Sequence, residues 1–160
     1  MKSFKQLYIF ICLLFLASCG FSPMLKNVDL NDIKINKIEY SGPSGLTYYL
    51  KSNLNMPINK GLREAYSLKI NIGEGSSSVT KNTAGITTEE EVAVTINFEI
   101  FDSKGVQIGG ESLSDGRVVS VTNNVSTDDE VKRIEKENII TNLIQQLTFA
   151  VRAKIISSQQ

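Results

Sequence analysis

Cys19 is the residue best placed to do chemistry, because it stands directly behind Leu16-Ala17-Ser18. A sulfur in that position can carry a thioether-linked diacylglyceryl group, and the small side chains of Ala17 and Ser18 fit a narrow peptidase site. Lys2 and Lys5 come first, followed by an apolar run from Leu7 to Leu16 that is shorter than the roughly 20 residues of a membrane span. Charge, apolar run, small residues and cysteine, in that order, read as a bacterial lipoprotein signal cut before Cys19. An ordinary secretory signal ending near a cysteine, or a short N-terminal anchor helix, would share part of this pattern. At about 0.8 kcal/mol per buried CH₂, one acyl chain holds a bilayer only marginally, whereas two or three hold it stably. Gly20 stands where an acidic residue often signals inner-membrane retention, so a lipid-anchored protein on the periplasmic side of the outer membrane is expected.

Little other chemistry is on offer. The chain has no histidine and only Cys12 and Cys19, one lost with the signal and the other consumed by lipid. Ser-His and Cys-His nucleophiles and the usual zinc sets are therefore excluded, and neither a metal, a cofactor nor an enzyme is expected. Basic and acidic residues balance at 17 each, and loss of Lys2 and Lys5 leaves the mature chain slightly acidic. That balance argues against a nucleic-acid partner, which calls for a basic stripe. Glu89-Glu90-Glu91 reads as a solvated charge run guarding a hydrophobic strand against edge pairing. Gly73-Glu74-Gly75-Ser76-Ser77-Ser78 is followed by no Gly-Lys-Ser/Thr, so it is not read as a phosphate cradle. Asn124-Val125-Ser126 matches a glycosylation sequon by chance.

The elements behind these residues divide the chain into a signal peptide at 1–18, a lipidated N-terminus and linker at 19–31, and a single domain at 32–157. Roughly 140 mature residues suit one domain with a real core. Ile33 and Ile35, then Ile38 and Tyr40 in the opposite phase, predict a first strand with a bulge near Asn36-Lys37. Ser44 is the expected cap of a short helix carrying Leu46, Tyr49, Leu50 and Leu54 on one face, stopped by Asn55 and Pro57. Core packing is expected for the Tyr48-Tyr49 pair.

Tyr66, Leu68, Ile70 and Ile72 alternate as a half-buried strand, and the Gly-Ser run beyond is either a loop or a weak continuation. Val92, Val94, Ile96, Phe98 and Ile100 form the strongest strand pattern, with a polar opposite face. Asp102-Ser103-Lys104-Gly105 predicts a hairpin into a fourth strand from Val106 to Val121, bent or interrupted at Gly109-Gly110 and Asp115-Gly116. Thr127-Asp128-Asp129-Glu130 reads as a capping box opening a helix to about Ile155, with Ile140, Leu143, Ile144, Leu147, Val151 and Ile155 as its core stripe. The expected fold is α+β: a two-layer sandwich of order β-α-β-β-β-α, with a four-stranded, mainly antiparallel sheet and two helices on one face. The helical crossover favours a parallel pairing of the first two strands.

With Cys19-Gly20-Phe21-Ser22-Pro23, an Ile-rich first strand and this element order ending in a long helix, the chain resembles LptE, the lipopolysaccharide-assembly lipoprotein of the outer membrane. Alphaproteobacterial members often carry arginine where Ser22 stands. The resemblance implies a non-enzymatic protein that plugs a large outer-membrane β-barrel partner (LptD-like), assists its assembly and contacts lipopolysaccharide on its way to the cell surface. It also implies that Cys19 is the lipid-attachment site, with palmitate among the acyl chains holding the protein to the membrane. As a separate expectation, Lys81, in the loop after the second strand, and Arg117, in the broken fourth strand, could pair with lipid A phosphates; the alternative is that both are plain surface charges.

Two rival functions use the same sequence. An auxiliary lipoprotein of a lipid-trafficking transporter has a Ser-Pro-like stretch after its cysteine and also binds partner proteins. A periplasmic hydrolase would need a serine elbow or converging carboxylates, and no Gly-x-Ser-x-Gly is present.

Overall fold

The computed structural model describes residues 34–59 and 65–159. Cys19, the signal and linker, and Ile33 lie outside the described residues. The elements run β1 (Ile35–Ser41), α1 (Ser44–Asn53), β2 (Tyr66–Lys81), β3 (Thr87–Phe101), β4 (Gln107–Ser120) and α2 (Val125–Ser158). The strands lie side by side in the order β1-β2-β3-β4. β1 pairs parallel with β2, and the remaining pairs are antiparallel. This is the expected α+β arrangement, with the expected parallel first pair.

Alternation builds the core. Val92, Val94, Ile96, Phe98 and Ile100 of β3 are all 2% exposed or less, and Leu68, Ile70 and Ile72 of β2 sit beside them. Across from the sheet, α2 buries Ile139, Ile140, Leu143, Leu147, Val151 and Ile155, while α1 contributes Leu46 and Leu50. Burying each such side chain stabilises the fold by about 1.5–3 kcal/mol. At about 1.5 Å of rise per helical residue and 3.3 Å per strand residue, α2, β2 and β3 are each about 50 Å long. One helix therefore spans the full length of the sheet.

The bulge expected near Asn36-Lys37 is present as a register shift between Ile35 and Lys37. At the other end of β1 the chain turns at Gly42, with φ +127°. A Cβ there would lie 2.1 Å from the carbonyl oxygen of Ile72, so only glycine fits. The β3–β4 turn follows the expectation. Asp102 Oδ1 accepts from the amides of Lys104 and Val106, both at 2.8 Å, and Gly105 takes φ +79°.

Several local expectations are corrected. Ser44 is the first residue of α1 rather than its cap; Pro43 holds the cap position with no side-chain hydrogen bond. Tyr48 is 74% exposed, so only Tyr49 packs, its hydroxyl 3.3 Å from Thr141 Oγ1. Of the two readings of the Gly-Ser run, continuation of the strand holds: β2 extends to Lys81, because β3 supplies ladder partners beside it. β4 is one uninterrupted strand despite its glycines, with an irregularity opposite Ile100 and Phe101. The cap of α2 is Asn124, whose side chain accepts from the Thr127 amide, so Thr127 lies inside the first turn. Glu89-Glu90-Glu91 guards no edge, since it sits in β3 between β2 and β4.

Candidate functional site

The two faces of the sheet differ sharply in chemistry. On the helix side, the apolar core gives way toward the start of α2 to a layer of ion pairs. Glu90 shares its face of β3 with Val92 and Val94, and its Oε2 lies 2.6 Å from Lys132 Nζ. Lys136 pairs with Glu74 of β2, and Arg117 of β4 lies 3.5 Å from Glu135. Successive turns of one helix thus engage three different strands. Lys132 holds the Glu90 carboxyl below its ordinary range, and Glu90 in turn pushes the Lys132 ammonium up.

Asp128 closes the same end. Its Oδ1 accepts from the Thr122 amide at 2.8 Å and the Thr122 hydroxyl at 2.9 Å. The Thr122 amide is the main reason its carboxyl lies below the usual range. These bonds fix the joint between β4 and α2, where Asn123 takes φ +62°.

The other face carries no helix. Along its centre run Asn71, Gly73 and Gly75 of β2, opposite Asn97, Thr95 and Ala93 of β3, which in turn face Ser112, Ser114 and Gly116 of β4. Hydroxyl, amide and glycine positions leave this surface flat, polar and uncharged in the middle. Charges gather at both ends: Glu89 and Glu91 of β3 at one, with the Glu91 carboxylate beside Gly116, and at the other Lys37, which pairs with Glu39 at 2.5 Å, and Lys69, whose Nζ sits 4.8 Å from the centre of the Phe101 ring. At this second end a shallow depression of about 340 Å³ is lined by Glu39, Ser41, Lys69, Asn71, Asn97 and Glu99. Such a surface can hydrogen-bond to another protein or to sugar hydroxyls.

Lys81 and Arg117 are not brought together. Lys81 is the last residue of β2, paired with Thr87, rather than a loop residue. Arg117 lies opposite Val92 in a continuous strand and is tied to the helix through Glu135. Glu74 and Glu90, which organise the ionic layer, were legible only as members of polar runs; their alternation with Val92 and Ile72 was the available signal. Among the described residues, no group of three or more Cys, Asp or Glu is placed to hold a metal ion, and no helix is long and apolar enough to cross a membrane.

The described domain has two layers, with one face of the sheet covered by helices and the other open and polar. Solved structures of bacterial lipoproteins share this fold. Rare lipoprotein B from Shewanella oneidensis superimposes with a TM-score of 0.60 at 13% identity, covering 78% of this chain and 100% of that one. A minor lipoprotein from Acinetobacter baumannii gives 0.56 at 20% identity, over 76% and 93% of the two chains. Lipoprotein B from Nitrosomonas europaea gives 0.56 at 10% identity, over 79% and 88%. At these identities the likeness is one of fold. No protein-family model and no curated protein matches the sequence.

Proposed function

We propose that this protein is a non-enzymatic, lipid-anchored lipoprotein of the outer membrane, facing the periplasm, that plugs and helps assemble a β-barrel translocon delivering lipopolysaccharide to the cell surface. The observation that carries the reading is the open sheet face. Its row of Gly75, Ala93, Thr95, Ser112, Ser114 and Gly116 keeps side chains short and polar, which suits close apposition to the polar wall of a barrel lumen. The fold shared with bacterial lipoproteins and the signal ending at Cys19 support it. Acyl chains on Cys19 tether the domain, and the large apolar side chains of the sheet are spent on the helices, leaving the free face for a polar partner.

The test is a mild-detergent pull-down of the tagged, lipidated protein with mass spectrometry of what stays bound. One large outer-membrane β-barrel at equal stoichiometry is the expected result. Transporter subunits in its place would move the protein to the auxiliary-lipoprotein role, and recovery of no envelope protein would discard the plug.

A further inference from the structure

β4 is an edge strand. It pairs with β3 on one side, and among the described residues nothing pairs with its other side. It runs from Gln107 to Ser120 with one irregularity between Gln107 and Gly109; it carries no proline or lysine, and its charges are Glu111, Asp115 and Arg117. Beside it, on the helix side, lies a groove of about 420 Å³ lined by Glu111, Leu113, Gln145, Gln146, Phe149 and Ala150. Phe149 is 53% exposed there. A free ladder edge next to an unfilled apolar groove is half of an interface.

The sequence of β4 indicates the other half. Two copies of an edge strand can pair antiparallel about a two-fold axis normal to the sheet, which sets each residue opposite one on the same face. With the axis at Ser114, Glu111 faces Arg117 of the second copy, and Arg117 faces its Glu111. Gly109 and Gly110 face Val119 and Val118, so the smallest side chains meet β-branched ones. Moving the axis to Leu113 sets Glu111 against Asp115, and moving it to Asp115 sets that carboxylate against itself. Like charges directly opposed are destabilising, and opposite charges contribute. Among the registers that use nearly the whole strand, only the one centred on Ser114 matches charge. It also brings the Leu113–Phe149 grooves of both copies to the axis. Glu111 and Arg117 hold only long intrachain contacts, to Lys154 at 3.7 Å and Glu135 at 3.5 Å, so both can turn to a second copy.

We propose that the β4 edge is a homodimerisation surface, in which two copies pair antiparallel through β4 in the register centred on Ser114, joining their sheets into one of eight strands. This goes beyond the plug reading and concerns the lipoprotein outside the barrel, since a domain enclosed in a lumen cannot pair its edge with a second copy. Opposed residues at the axis have Cα atoms about 4.5–5.5 Å apart, within disulfide reach.

The experiment uses the full-length lipoprotein in its own membranes, oxidised with copper phenanthroline and run on a non-reducing gel, with the unsubstituted protein as background. Ser114→Cys is expected to give a disulfide-linked dimer, and Ser112→Cys, which would face Gly116, a several-fold weaker one. For the purified protein in detergent, sedimentation should show Glu111→Arg weakening dimerisation about tenfold or more, with Arg117→Glu added to it restoring the dimer. Equal cross-linking at 112 and 114, a monomer at all concentrations, or a charge swap that restores nothing would overturn the proposal. Capture of Ser114→Cys on a different protein would overturn it too and assign the edge to that partner.

Discussion

Lys132 Nζ of α2 lies 2.6 Å from Glu90 Oε2 of β3, joining the long helix to a central strand where the apolar core ends. Both side chains are about four-fifths buried, so the contact works in a drier setting than a surface pair. Its pH dependence has a definite sign. Glu90 titrates below its ordinary 4.5, so the stability it contributes is present above that value and is lost as pH falls through the lower folded value. Lys132 titrates above its ordinary 10.5, so its contribution is present below that value and is lost as pH rises through the higher one. Lys132→Met should lower the thermal midpoint near neutrality, with the difference from the parent shrinking in acid. A difference that does not change with pH would show that packing of the lysine stem, rather than its charge, matters.

Phe98 is the largest fully buried side chain in the core. Phe98→Ala removes its contacts and leaves a cavity beneath α2, and is expected to cost about 3–5 kcal/mol in urea unfolding. Thr95→Ala, one turn of the pleat away on the open face, should change stability by less than about 0.5 kcal/mol.

Gly42 is fixed by the carbonyl of Ile72 as well as by its positive φ. Gly42→Ala must push the end of β1 away from β2 and is expected to destabilise by about 1–3 kcal/mol. Hydrogen exchange should report faster opening of the Tyr40 and Ser41 amides, while β3 amides keep their relative protection.

On the plug reading, the open face is a contact surface. Thr95→Arg places a long cation at its centre without touching the core. The prediction is a domain with a near-parental melting temperature that recovers much less barrel in the pull-down; undiminished recovery would move the contact to another face.

Charge reversal separates the two accounts of Lys81 and Arg117. If they meet lipid A phosphates, Lys81→Glu combined with Arg117→Glu should weaken lipopolysaccharide binding at least severalfold, and raising salt should weaken the parent toward the same level. Unchanged binding would leave both as surface charges, with Arg117 serving only Glu135.

Local patterns already determined much of this protein. Strict alternation from Val92 to Ile100 named the buried face of β3, because a period of two cannot hide five large side chains except on one side of a sheet. Ile140, Leu143, Leu147, Val151 and Ile155 named the stripe of α2 in the same way, and Asp102 with Gly105 named the hairpin. Long-range pairing decided the rest. Gly73–Lys81 has little strand propensity of its own and becomes strand because β3 offers a partner along its length. Glu89–Glu91 is central rather than at an edge because β4 pairs alongside it up to Ser120, opposite Glu89. Glu90, Glu74 and Arg117 look like surface charges in the sequence, and only the placement of α2 across three strands turns them into one ionic layer. Such contacts join residues far apart in the chain, and their partners are set by how the layers stack rather than by any nearby residue.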